Sequence, residues 1–515
     1  VIVKIRDMGA NGINSDLAPW DLPPNMLTDG RNFRVMSGKV QSSGGSQLLL
    51  EGARGTIGHL DQSSDFEGTN QWILCHSNGV DTLYNQEFVG IYDANGTVDP
   101  YQWTTCQIGQ VTFLNHPSTG PIYFTDWSSI AEGAEPLQWS PTQDKWEHSA
   151  RQLHAHKNFL FALGMVEDGE YYEDRVRWSH PCDPNGIPYT WEGPDKDPSS
   201  LAGFVTLGRG GMVVGAESLR DSFVIYSQEA LNVLDFTGDA LVWRRRTLSQ
   251  TAGLVGEKGL IEVGGIHFFI SSEDIMMFDG NSAQSLLHNR LRKRFATTLN
   301  EDARHRAFAV DNKMTSEAWF CVAEVGHDEP NVAYVYNYRD GSWAIRDLST
   351  TRNFSHATFG YQPVDVLTWE DFAQPWLGER TTWATANRQP FDGVIIGCSG
   401  NQVHNVDTQY PDDPGLTTFI ERVSMPMQGH EDVTMLSRIY PQVEGNTPVE
   451  VSVGSHHYAG DGARWKPPVV FDPKTDRKVD IRTSGELHAF RVEGPTNGNF
   501  NLTGLDIEFV PAGGR

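Results

Sequence analysis

The sequence predicts an all-β fold: an irregular β-propeller of about six or seven blades, preceded by an extended N-terminal arm and followed by a β-sandwich. Three observations point there. Glycine (51) and proline (27) are abundant in the 515 residues and the aromatic fraction is 11%, a mixture suited to short strands joined by tight turns. A unit of two short apolar strands around a polar turn recurs through most of the chain. Towards the C-terminus the texture changes to clean apolar/polar alternation.

The arm covers residues 1–50. Ala18-Pro-Trp-Asp-Leu-Pro-Pro24 suits neither a regular helix nor a central strand, because proline removes a donor and fixes the backbone. The segment is therefore read as loop-like. An extended chain carrying Trp20, Met26, Leu27 and Phe33 needs a surface to lie on, either its own body or a neighbour's. Trp20, Arg31 and Phe33 are the candidate anchors.

Residues 51–410 carry the repeat. Trp72–Cys75 turns through Asn78-Gly79 into Thr82–Tyr84, and Val111–Leu114 turns through Ser118-Thr-Gly120 into Ile122–Phe124. The same unit recurs at Phe159–Trp178, Ser222–Phe236, His267–Phe278, Ala318–Trp343 and Val394–His404. The spacing is loose, roughly 40 to 75 residues, and its lower end matches four-stranded propeller blades. One hairpin cannot bury both faces, whereas radial stacking can. One helix interrupts the pattern over Leu286–Phe295, where Leu287, Leu291 and Phe295 fall four apart and make one apolar stripe. Arg290, Arg292, Lys293 and Arg294 lie mostly off that stripe. They are a basic interface candidate, for phosphate or an ion-paired subunit, or simply a solvated face. Arg244-Arg-Arg246 sits in a strand, where alternation sends its middle arginine to the other face.

Pro411-Asp-Asp-Pro-Gly415 marks a boundary, and 411–515 is read as a compact antiparallel sandwich. Val449–Val453, Lys478–Arg482, Ala489–Val492 and Leu505–Val510 alternate as strands with one buried and one wet face.

Sixty-six acidic against 40 basic residues give a formal charge of −26. Static binding of nucleic acid is disfavoured, since that affinity comes from cations displacing counterions. An acidic surface suits DNA that must slide past without sticking, and it equally suits plain solubility. The hydrophobic content of 38% supports a real core. The five cysteines (Cys75, Cys106, Cys182, Cys321 and Cys398) are far apart, odd in number and without paired spacing. They read as reduced thiols of a cytoplasmically made, soluble protein. No stretch approaches a membrane span and the N-terminus has no signal-peptide pattern.

The sequence carries little catalytic chemistry: no metalloprotease His-Glu pair, no nucleophile elbow, no P-loop, and no motif that asks for a cofactor. Gly208-Arg-Gly-Gly211 reads as a loop. His154 and His156 share a strand face, as half a metal site would, but no carboxylate or thiol is tied to them and a structural pair is the reading. His456-His457 is weaker still. Asp93–Asp99 lacks the closing glutamate of a calcium loop, and its Asn-Gly reads as a turn. Tyr338-Arg-Asp-Gly-Ser-Trp343 approaches the aspartate-box turn of sialidase blades but lacks the serine two before the aspartate.

Three stretches, in order, resemble the podovirus tail nozzle family, relatives of the packaged-DNA stabilisation (tail-hub) proteins. The first is Gly12-Ile-Asn-Ser-Asp16 with Leu22–Met26 and Gly30-Arg-Asn-Phe33. The second is Phe295–Asn300, Arg306–Ala309, Glu317–Phe320, Tyr334–Asn337 and Trp343. The third is Ile481–Gly485, Phe490-Arg491 and Leu502-Thr-Gly504. Residues 85–150 show no distinctive correspondence.

The resemblance implies a structural virion protein, assembled in the host cytoplasm and forming part of the DNA-ejection channel of a short-tailed bacteriophage. It implies a homo-hexamer below the portal and adaptor, bearing fibres or spikes, that retains packaged DNA and lets it pass without tight binding. No catalytic residues come with the family, so the expectation is a chain that is not an enzyme. The alternative is a phage glycan-degrading or glycan-binding β-propeller, a depolymerase or receptor-binding protein. It needs two suitably spaced carboxylates or a tyrosine nucleophile if catalytic, and arginines for a carboxylated sugar.

Overall fold

Short apolar runs bounded by turns become strands throughout the computed structural model, which is 55% strand and 4% helix. It describes the chain apart from residues 65–69, 85–86, 126–132, 144, 184–185, 209, 240, 250–251, 362–392, 409–411, 413–414, 430–431, 446, 496–500 and 515. The fold is all-β, as the composition and turn pattern predict. Most of the boundary expected at Pro411–Gly415 lies outside the described residues.

Among the described residues, seven sheets have four antiparallel strands each. Six run in chain order, beginning at Ile57–Ser64, Thr104–Ile108, Ser149–His156, Val213–Leu219, Leu260–Val263 and Phe308–Asn312. The expected hairpins pair as read from the sequence, for example Phe268 opposite Met277 and Trp319 opposite Val335. The seventh sheet joins His356–Tyr361, Gly393–Ser399 and Gln402–Thr408, and takes its fourth strand from Gly45–Glu51 near the chain's start.

The chain divides into two compact units. The first comprises residues 1–47, 255–353 and 406–515, and the second 48–254 and 354–405. In the second unit, neighbouring sheets pack face to face. Leu60, Trp72, Ile396 and Val403 share one core, and Ile73, Trp103, Leu114 and Phe124 the next. Phe113, Trp139, Leu160 and Trp191 fill a third, and Phe161, Phe223 and Trp243 a fourth. Phe161 and Phe223 stack at 4.2 Å between centroids. Each such side chain contributes about 1.5–3 kcal/mol by leaving water.

The first unit holds two four-stranded sheets and two six-stranded ones. One six-stranded sheet is built on Asp432–Glu444 and Asn501–Gly514, the other on Phe419–Pro426, Leu487–Glu493 and Val449–His456. The predicted alternation holds: Val479, Ile481, Thr483 and Gly485 are buried while Asp480, Arg482 and Ser484 are exposed. Buried hydroxyls cross from one sheet to the other, Ser455 to Thr483 at 2.6 Å and Thr434 to His488 at 2.8 Å.

Two local readings change. The first fifty residues hold five short strands, Ile2–Arg6, Asp29–Arg31, Phe33–Met36, Lys39–Ser42 and Gly45–Glu51. Phe33–Met36 and Lys39–Ser42 form a hairpin with each other, whereas Ile2–Arg6, Asp29–Arg31, Lys39–Ser42 and Gly45–Glu51 take partners hundreds of residues away, which no local pattern marks. The helix spans Arg292–Thr298 rather than starting at Leu286. Asn289, in the left-handed region at φ 56°, interrupts the backbone before it. The predicted stripe survives, since Leu287, Leu291 and Phe295 are all fully buried.

Candidate functional site

The N-terminal arm lies in a cradle of its own chain's first unit. Gly12 (φ 66°) passes so close to Trp343 that a Cβ would stand 2.3 Å from its main-chain N and O. The Ile13 amide donates to the Trp343 carbonyl at 2.9 Å. The Asn14 side chain donates to the Asn289 carbonyl at 2.8 Å, and its own oxygen takes the amides of Asp16 and Leu17.

Of the three sequence-predicted anchors, two are embedded. Arg31 donates to Asp347 at 2.8 Å and to Glu324 at 3.0 Å. Phe33 is 1% exposed, beneath Gly30, whose missing side chain leaves room for its ring. Between them Asn32, at φ 61°, closes a reciprocal pair with Asp347: its amide nitrogen donates at 2.9 Å and its oxygen accepts the Asp347 amide at 2.7 Å. Trp20 is different. It is half-buried and lines a shallow cavity of ≈ 290 Å³ with Asp21, His457, Ala459, Glu486 and Leu487.

The basic candidates face mainly the arm. Arg290 donates to the Asn11 carbonyl at 3.0 Å, and Arg294 pairs with Asp29. Asp16 accepts the backbone amides of Arg292 and Lys293 at 2.9 and 3.2 Å, so the arm caps the helix. An acidic group there answers the first unsatisfied amides and the helix dipole. The Arg292 side chain lies 3.7 Å from Asp274, and Lys293 is exposed.

Sequence reasoning missed a buried charge network beside the arm. Arg34 pairs with Glu317 and Asp407, and Arg346 donates to Asp407 at 2.9 Å and to the Gly44 carbonyl at 2.8 Å. The Arg346 guanidinium lies 4.2 Å over the Trp319 ring. Burial pushes the Asp407 carboxyl up, but the charges of Arg34 and Arg346 outweigh it and hold it below the usual range. Spacing could not reveal a network whose members are so far apart in sequence.

The second unit gathers titratable groups at the first strands of adjacent sheets. Asp61 accepts from the Thr105 hydroxyl and from the Gln62 amide, and His59 meets the same hydroxyl at 2.9 Å. Burial holds the Asp61 carboxyl above the usual range. Burial also raises the Cys106 thiol, and the charges of Asp61 and Glu217 both act on it in the same direction. No motif in the sequence marks this grouping.

The weaker candidates take ordinary protein partners. His154 meets Gln152 at 3.2 Å, and burial pushes it down to about 4. His156 meets Ser218 at 2.9 Å. His456 meets Ser424 at 3.1 Å, while His457 is exposed. Asp93 pairs with Arg54, and Asp99 caps the short helix Pro100–Gln102. Asp340 and Gly341 form a hairpin turn. All five cysteines are free thiols. Among the described residues no group of three or more His, Cys, Asp or Glu could hold a metal ion, and no helix is long and apolar enough to cross a membrane.

No protein-family model matches the chain, and no curated protein matches it. Solved structures do show likenesses. An exo-β-1,3-galactanase from Phanerochaete chrysosporium, with galactose, is 10% identical over 88% of this chain and 100% of its own, at a TM-score of 0.27. The extracellular domain assigned to a one-component system of B. thetaiotaomicron is 8% identical over 89% of this chain and 59% of its own, at 0.40. A functionally unknown protein from Desulfotomaculum acetoxidans is 10% identical over 60% of this chain and 94% of its own, at 0.34. Likenesses this slight assign no activity, substrate or partner. The expectation that the chain is not an enzyme is withdrawn: a glycoside hydrolase stands among these structures, and likenesses this slight establish neither an activity nor its absence.

Proposed function

We propose that this chain is a structural subunit of a short-tailed phage tail, a nozzle or hub protein whose copies surround the path of the ejected DNA. The observation that carries the reading is where the resembling stretches lie. Gly12–Phe33, Phe295–Trp343 and Ile481–Gly504 are far apart in sequence, yet all belong to the first compact unit. The first two also hold each other, with Gly12 against Trp343 and Asp16 capping the helix that carries Phe295. Residues 85–150, which carry no resemblance, belong to the second unit. Resemblance by chance in short turn and core motifs has no reason to converge on one unit.

In this reading the seven four-stranded sheets are propeller blades, and the two six-stranded sheets form the sandwich. The face-to-face cores of the second unit support it, as does the strand Gly45–Glu51 completing the last sheet of the series. Six copies, an adaptor or portal above and fibres or spikes outside are what the resemblance adds. The charge of −26 would keep the phosphate backbone from lodging on the wall. The test is genetic: virions assembled without the chain should lose packaged DNA, and virions that keep their DNA and infect normally would overturn the proposal.

A second reading, a glycan-degrading or glycan-binding propeller, is favoured by one observation. Asp61, hydrogen-bonded by the Thr105 hydroxyl and the Gln62 amide, has its carboxyl held above the usual range by burial, as a general acid requires. Glycosidases pair such an acid with a second carboxylate that serves as nucleophile or base, and Glu217 is the candidate in the same unit. Polysaccharide cleavage abolished by Asp61→Asn or Glu217→Gln would support it, and no cleavage by the unaltered chain would remove its catalytic form.

A further inference from the structure

Between the strands Val449–His456 and Val479–Gly485 the chain makes an extension, residues 457–478, that differs from the rest of the surface in two ways. It exposes large apolar side chains. Tyr458 and Val470 are each 57% exposed, Trp465 39% and Val469 37%. It is also basic, with Arg464, Lys466, Lys474, Arg477 and Lys478 against three aspartates, in a chain of net charge −26. Among the described residues Arg464, Lys466, Lys474 and Arg477 have no ion-pair partner. The extension is well formed: Arg464–Trp465 and Val469–Phe471 both pair with the edge of the Val449–His456 strand.

We infer that this extension is an interaction surface and that its partner is the acidic face of a second copy of this chain. Monomeric surfaces scatter large apolar side chains singly. Trp465 and Val470, opposite Gly454 and Glu450, share the outer face of the sheet that holds Val449–His456, and with the unpaired cations beside them in sequence they have the make-up of an interface core with a charged rim. Lys466, Pro467 and Pro468 lie between its two strands, where lysine and prolines blunt strand addition. What the extension offers is therefore side-chain area rather than an open ladder. Its charge selects the partner. An extension with excess basic charge repels its own twofold mate, whereas the rest of the chain, at −28 once the extension's +2 is set aside, attracts it. The contact therefore joins two different surfaces, and such a contact propagates into a ring or an open filament rather than closing as a dimer. A phosphate backbone would satisfy the cations but not the exposed Trp465 and Val470, so a protein surface is the better fit.

The inference deepens the tail reading, in which copies of the chain meet, and its biological setting rests on that reading. It is tested on the purified full chain by analytical ultracentrifugation across concentration and salt, with Trp465→Ser, Val470→Asp and Lys474→Glu alongside. These positions are exposed, and unchanged circular dichroism and melting would show the variants folded. The expected result is assembly beyond a dimer, weakened by salt and weakened about tenfold or more by Val470→Asp and Trp465→Ser. A strictly monomeric chain, a dimer, an assembly indifferent to all three substitutions, or binding of duplex DNA in place of self-association would each overturn it. Assembly as expected from a chain absent from virion tails would sink the tail reading and leave the surface standing. A chain present in tails but indifferent to the substitutions would do the reverse.

Discussion

Gly12 is pressed against the main chain of Trp343, with space for a hydrogen and none for a methyl group. This contact fixes where the N-terminal arm enters the first unit. A substitution there meets two obstacles, the 2.3 Å approach to the Trp343 backbone and a φ of 66°. Gly12→Ala is expected to destabilise by about 2–4 kcal/mol. Gly52→Ala is the control, with a φ of 100° but nothing within 4 Å, and should cost about 1–2 kcal/mol. Thermal unfolding compares the two, and limited proteolysis should show arm cleavage in Gly12→Ala alone.

Asp16 reaches from the arm to the first amides of the Arg292–Thr298 helix. Asp16→Ala should lose about 0.5–2 kcal/mol, as for other lost caps, whereas Asp16→Asn should keep most of it. Chemical denaturation of the three proteins settles the order.

Asp407 is expected to be the most costly charge to remove. Asp407→Ala leaves Arg34 and Arg346 without a shared carboxylate, and Arg346 is 1% exposed. Breaking a buried pair in this way costs about 3–5 kcal/mol. Because its carboxyl titrates below the ordinary range when folded, its contribution is complete above the unfolded value and is lost as pH falls through the folded one. The variant's deficit, measured against pH, should therefore shrink in acid.

Asp61 should behave in the opposite sense. Burial raises its folded titration, so the group favours the fold in acid and opposes it once pH rises past the unfolded value. Asp61→Asn should raise the melting temperature at neutral pH and leave it unchanged in strong acid. A lower melting temperature at neutral pH would show that the hydrogen bonds from Thr105 and Gln62 outweigh the burial.

Much of the architecture was legible because it is local. The hairpins at Trp72–Tyr84 and His267–Phe278, the alternation at Val479–Gly485 and the stripe Leu287, Leu291 and Phe295 all follow from periodicity within one or two turns of chain. What escaped is non-local. Three strands of the arm, Ile2–Arg6, Asp29–Arg31 and Lys39–Ser42, pair with Phe419–Pro426 or Asn501–Gly514, and nothing near Gly30 or Val40 announces a partner there. The same holds for the site. Arg31 and Phe33 stood out as a charge and an aromatic on a segment needing a surface, but Arg34, Arg346 and Asp407 meet only in the folded chain. Trp20 drew attention as a large apolar residue among prolines, yet its surroundings left it half-buried at a cavity wall.

The central claim is that this chain surrounds the DNA path of a short-tailed phage, and a cryo-EM reconstruction of the virion tail tests it most directly. The account predicts copies related by rotation about the tail axis, enclosing the channel, with acidic side chains on its wall. Copies projecting from the periphery, or a chain missing from the tail altogether, would contradict it.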